Sequence, residues 1–286
     1  SELAAYSNIL DALARLAWKP LTVEETASVI QQADAILAQC AQVSKTADQC
    51  PDNDGIMRTA LAWRAYLQGL PTEPLLKQAK DRWRTLSKLG VELLDATQFM
   101  ALGQLIEALS LQRQQKDPAS ALRQMEQSLQ RCFRFDASDG NCQALTVRKQ
   151  WLEAELLPAQ AAQRLRRALT DAERILSGTP LHPDYLWIAS ETHLRLAKLP
   201  QLDASARDSH VSAGLLIADK LVTEFPAHAL GFVTKGNLYL CQADLQRSKE
   251  AKQSQRSAAQ TSFAKAQALD PRIVPYFQDS LRKLGL

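Results

Sequence analysis

The chain has 286 residues, with 34 Lys and Arg against 31 Asp and Glu for a net charge of +3. Charged residues at 23% and apolar residues at 46% exclude disordered and collagen-like classes, and so small a dispersed charge gives nucleic acid no footing as a partner. Only 10 Gly, 12 Pro and 6% aromatic residues leave little for a β-rich fold to build on.

In chain order, apolar residues recur at helical spacing from end to end. Thr22, followed by Glu24 and Glu25, opens a helix whose stripe is Val29, Ala33, Ile36, Leu37 and Cys40. Thr72 with Glu73, and Asp95 before Phe99, open two more. Leu165, Ala168, Leu169, Ala172 and Ile175 form a stripe flanked by Arg164, Arg167 and Arg174. Prolines punctuate the chain at 20, 51, 71, 118, 158, 180, 183, 200, 226 and 271. No alternating β-branched run appears. The expectation is all-α, about a dozen helices of roughly 12 to 22 residues in a right-handed array, or solenoid, of antiparallel helical hairpins. No segment approaches the ~18 uninterrupted apolar residues of a membrane span, so direct insertion of this stretch is not expected. The chain opens on Ser-Glu-Leu, which is neither a signal peptide nor a translation start, so a longer parent chain is expected.

The sharpest repeat lies near the C-terminus. Ala259, Phe263, Ala266 and Pro271, in AAQTSFAKAQALDP, follow a helix carrying Phe232, Gly236 and Tyr239. Small residues at Gly236, Ala259 and Ala266 let helix axes approach while Tyr239 and Phe263 fill the space beside them. The pattern resembles a tetratricopeptide repeat, with Lys235 standing where that family has Leu. An insertion from Gln242 to Ser254 is expected either to lengthen both helices or to bulge. Leu186, Ala189, Ser190 and His193 look like a degenerate first helix, with Leu215 to Pro226 as its second. The whole of 1–286 is expected to be one such domain, its clearest units near 183–226 and 227–271, with a terminal helix near 272–285.

Cysteines repeat as well. Cys40 and Cys50 are ten apart, as are Cys132 and Cys142, and the pairs are offset by 92 residues, with Trp63 and Pro71 after the first and Trp151 and Pro158 after the second. Each first cysteine falls in the last turn of a helix and each second at the start of the next, near enough for a disulfide. Buried thiols are the alternative; a metal or redox site would want C-x2-C, which is absent. The repeated spacing favours Cys40–Cys50 and Cys132–Cys142 disulfides, with Cys241 free, and hence an oxidising, extracytoplasmic location.

No phosphate loop, G-x-S-x-G elbow, H-E-x-x-H or kinase signature occurs. Neither cofactor nor metal is expected. His193 is expected to pack between helices and His210 and His228 to face solvent, with no ligand role for any. Asp52, Asn53, Asp54 and Gly55, and Asp136, Asp139 and Gly140, lack the spacing of a calcium loop and read as turn and cap residues. Ser262 and Lys265 form an isolated S-x-x-K, and Arg164, Arg166 and Arg167 read as a solvated face, with contact to an acidic partner as the alternative. Trp18, Trp63, Trp83, Trp151 and Trp187, one per hairpin, read as core anchors.

These features predict a non-catalytic module that binds a protein or peptide in a concave groove. In style it resembles the tetratricopeptide-like extracytoplasmic sensor regions of bacterial transmembrane Ser/Thr kinases, which implies a tether to the inner membrane; a periplasmic assembly scaffold is the alternative. If Phe232, Gly236 and Tyr239 pack, the contact residues one step away are Val233, Asn237 and Leu240. Arg148 and Lys149 are the charged candidates in the Trp151 hairpin.

Overall fold

A computed structural model describes residues 2–17, 19, 21–43, 49–88 and 93–286. Among them there are thirteen α-helices and no strand. The helices are α1 (Glu2–Ala17), α2 (Val23–Val43), α3 (Gln49–Leu67), α4 (Glu73–Lys88), α5 (Leu94–Arg113), α6 (Ala119–Phe135) and α7 (Gly140–Leu156), followed by α8 (Ala161–Gly178), α9 (Pro183–Ala197), α10 (Ala204–Glu224), α11 (Ala229–Leu245), α12 (Lys249–Leu269) and α13 (Val274–Leu284). The chain divides into two compact units, Ser1–Cys142 and Gln143–Leu286, with the boundary inside α7.

The cap expected at α2 forms, whereas the Thr72 hydroxyl before α4 meets Ser110 Oγ of α5 at 2.9 Å and α5 has no side-chain cap, Asp95 lying within its first turn. At α2, Thr22 and Glu25 form a reciprocal capping box: the Glu25 N–H donates to Thr22 Oγ1 at 3.0 Å and the Thr22 N–H donates to Glu25 Oε2 at 2.6 Å. Asp203 caps α10 and Ser248 caps α12 in the same way from one side.

Within each unit consecutive helices pack, from α1 to α6 and from α8 to α13, and some alternate ones do too. In the first unit α3 touches both α1 and α5; in the second α9 touches α11. This is the contact pattern of stacked hairpins, in which the first helix of each pair has neighbours on several sides and the second on one. Side-chain patterns obey it. In α6 and α8 the buried residues form one stripe, whereas in α9 every residue except Pro183, Asp184 and Arg195 is buried.

The C-terminal hairpin packs through the small residues singled out in the sequence. A Cβ at Gly236 would lie 2.7 Å from the Phe263 ring, so only glycine lets α12 approach so closely. Ala259, Phe263 and Ala266 are buried, and Phe263 stacks on Phe277 of α13. The Gln242–Ser254 insertion lengthens both helices, leaving a turn of three residues between Leu245 and Lys249.

Cys40 is joined to Cys50 and Cys132 to Cys142, across Cα separations of 6.6 and 6.4 Å, while Cys241 is free and half-buried. The stretch Asp52–Gly55, expected in a turn, lies instead within α3, because that helix starts before Cys50. There Asn53 Nδ2 donates to the Ser7 carbonyl of α1 at 3.1 Å, and Asp54 is wholly buried beside Arg58. The second loop does cap: Asp139 Oδ1 accepts the Cys142 N–H at 2.7 Å. Asp139 also lies within 4.8 Å of both Cys132 and Cys142 sulfurs, which are engaged with each other.

Candidate functional site

Trp63, Trp83, Trp151 and Trp187 are all buried anchors, as their spacing predicted; Trp18 and Pro20 lie outside the described residues. Trp151 and Trp187 do more than fill space. On α7, Trp151 donates its indole N–H to Thr192 Oγ1 of α9 at 3.0 Å, and that hydroxyl donates onward to the Ile188 carbonyl at 2.7 Å. One helix along, Trp187 of α9 donates to Thr234 Oγ1 of α11 at 3.1 Å, and that hydroxyl donates to Glu191 Oε2 at 2.9 Å. The same Trp-to-Thr step is thus made twice, α7 to α9 and α9 to α11. The two indoles meet edge to face with centroids 5.9 Å apart.

Two guanidinium groups lie across this ladder in a crossed pattern. Arg148 of α7 covers Trp187 of α9, its Cζ 4.9 Å from the ring centroid, and Arg195 of α9 covers Trp151 of α7 at 4.8 Å. Arg195 Nε also lies 3.2 Å from Glu191 Oε1, and the same guanidinium pairs with Glu155. Burial works against the Arg195 charge, but the Glu191 and Glu155 carboxylates and the nearby Tyr276 hold its pKa above the ordinary value. At Arg148 burial wins and lowers the pKa, with Asp184 and Tyr276 opposing.

The N-terminal ends of α9 and α11 complete the cluster. His228 Nδ1 accepts the Gly231 N–H at 3.0 Å, capping α11, which leaves Nε2 to face Asp184 Oδ1 at 4.0 Å. Burial would raise the Asp184 pKa, but the hydrogen bond with His228 and the charges of Arg148, His228 and His182 lower it. The Asp184 side chain is 57% exposed, so water screens much of that effect. His182 stacks on Tyr185 with centroids 4.0 Å apart.

The residues singled out from sequence fall in different places. Arg148 belongs to the ladder. Lys149, about 100° further round α7, turns to the α8 side instead, where it pairs with Glu153 at 2.8 Å; Glu153 also holds Arg164. Val233 is corrected from a contact residue to a core residue: it is 2% exposed, because α11 is packed by α9, α10 and α12 and its buried stripe is wider than one hairpin partner would make it. Asn237 is half-buried, and its Oδ1 accepts the Ser280 hydroxyl at 2.6 Å, tying α11 to α13. Leu240, Phe232 and Tyr239 are half-buried.

The histidines also depart in part from expectation. His193 packs between helices at 6% exposure, with its Nδ1 3.1 Å from that of His210. His210 and His228 are half-buried rather than solvent-facing, because the first meets His193 and the second serves as a cap. Burial, and then the neighbouring His210, depress the His193 pKa to about 4. The Ser262 hydroxyl donates to the Ala258 carbonyl within its own helix.

Sequence reasoning found the tryptophans but not their partners Thr192 and Thr234. The signal was available: both threonines lie on inner helices, about one hairpin beyond the indole each serves.

The arrangement offers two oriented cations over aromatic faces, carboxylates beside them and an accessible His–Asp pair at the margin. The chain matches no protein-family model and none of the curated proteins searched.

Proposed function

We propose that this chain is a non-catalytic helical-repeat module of the tetratricopeptide type that binds a protein or peptide through the α7–α9–α11 face of its second unit. The observation that carries this reading is the Trp–Thr ladder with Arg148 and Arg195 crossed over its rings. Guanidinium groups stacked on buried indoles are held in fixed orientations, so they lose little freedom on meeting a partner's carboxylates or backbone carbonyls. Both disulfides support an oxidising, extracytoplasmic setting. No described helix is long and apolar enough to cross a membrane. The likeness in style to sensor regions of receptor-type Ser/Thr kinases supports a sensing role, with an upstream span and kinase as its strongest form.

The test is site-specific photocrosslinking in the exporting host. A benzophenone amino acid at Asp184, beside the ladder, should yield a discrete adduct, while one at the exposed Leu216 of α10 should not. Equal labelling at both positions, or labelling at Leu216 alone, would remove the binding face from α7, α9 and α11.

A further inference from the structure

We propose that a cleft in the first unit, between α4, α5 and α6, is a second and separate binding site, and that it takes a small apolar carboxylate carrying one N–H donor. The cleft has a volume of about 290 Å³, roughly twice the ~150 Å³ cavity that holds one benzene ring. It therefore suits a single ring with a short polar tail.

Its body is apolar. Leu76, Trp83 and Leu86 project from one face of α4, and Met100 from α5, half-buried, leaves apolar surface open to the space between. The Trp83 ring is held rigidly, because it lies where a Cβ at Gly55 of α3 would be, 2.5 Å from Cη2.

Two polar features then specify the ligand. The first is Gln104 of α5, which lines the cleft at 9% exposure with an Oε1 that has no hydrogen-bond partner. A buried acceptor left unpaired is costly, and a donor brought in by a ligand recovers that cost. The second is the charge of the lining, which among the described residues contains Lys80, Arg84 and Arg131 and no Asp or Glu. Lys80 is paired with Glu107, and Arg84, among the described residues, with the exposed Asp81 side chain on its own helix. Arg131 of α6 has no ion pair among the described residues. An anionic head group at that rim and a donor at Gln104 complement what the walls present.

Calorimetric titration of the full chain with N-acetyl-L-phenylalanine tests this, because the probe has the ring, the N–H and the carboxylate. Its primary amide lacks the charge and 3-phenylpropanoate lacks the acetamido N–H; each should bind about tenfold more weakly. Arg131→Ala should weaken the acid about tenfold and leave the amide unchanged. Gln104→Leu should weaken the acid about tenfold and leave 3-phenylpropanoate unchanged. Absence of binding by the acid at millimolar concentration overturns the site, as does an equal loss for all three probes in either variant. Should Gln104→Leu fail to fold, the exposed Arg131 decides the matter alone. A longer peptide ending in the same residue, acetyl-Ala-Ala-Phe, should bind no more tightly; tighter binding would replace the small molecule with a peptide C-terminus.

Discussion

In the first unit one buried polar cluster is ionic. Arg58 of α3, 0% exposed, donates from Nε to Asp54 Oδ2 at 2.9 Å and reaches Asp34 of α2 and Gln78 of α4, while Arg82 of α4 closes on the same Asp54 oxygen at 2.6 Å. In the second unit the ladder's steps are neutral, an indole donating to a threonine, with the buried Glu191 accepting from Thr234 and pairing with the part-exposed Arg195. The first unit also holds both disulfides and the second has none among the described residues. A buried ion left without its partner is penalised far more than a lost neutral hydrogen bond. The first unit therefore depends on one node that joins three helices, and the second on repeated steps that can be removed singly.

The largest expected effect comes from breaking the node. Asp54→Ala should destabilise the first unit by about 3 to 5 kcal/mol, read from the shift of its urea midpoint, because Arg58 is left buried and under-paired. Replacing Arg58 and Asp54 together with Met and Leu should recover most of that loss; no recovery would show that the node is more than a paired charge.

Acid should act on the other unit. His193 carries a pKa of about 4 against an ordinary value of 6.5, so both folded and unfolded chains are neutral above that value and nothing is lost there. As pH falls from about 6.5 to about 4 the unfolded chain takes up a proton that the folded one refuses, and stability drops by on the order of 3 kcal/mol. His193→Gln should flatten the pH profile of the second unit between those values. A profile unchanged by the substitution would remove the buried imidazole as its cause.

Reduction returns the effect to the first unit. Each bridge closes a loop with a sequence separation of 10, so its loss should cost about 3 kcal/mol. Dithiothreitol should lower only the earlier-numbered unit's unfolding transition, and movement of both by the same amount would erase the distinction. The smallest effects belong to the ladder. Thr234→Val, which strands both the Trp187 N–H and Glu191, should cost about 2 kcal/mol, and Thr192→Val, which strands Trp151 alone, about 1 kcal/mol.

Much of this architecture was legible from residue spacing, and the exceptions have physical causes. Cysteine pairing and the Gly236–Phe263 contact are local or involve neighbouring helices, so periodicity exposes them. Val233 is core rather than outward-facing because a helix with three packed neighbours has no single outward stripe for periodicity to reveal. Arg58 escaped notice although it is the lone charge in the run Ile56–Trp63, a position that only partners from two other helices make tenable. The crossed Arg148 and Arg195 depend on which helices become neighbours, and the order of residues along one helix carries no trace of that.

The placement of the cysteines also bears on how the oxidised chain is reached in time. Each native pair is separated by 10 residues, whereas mispairing Cys40 with Cys132 would close a loop of 92. Loop closure probability falls as about the three-halves power of length, so the native partner meets its cysteine roughly thirtyfold more often. A chain entering an oxidising space would form its correct crosslinks before distant thiols compete, leaving a disulfide isomerase little to correct.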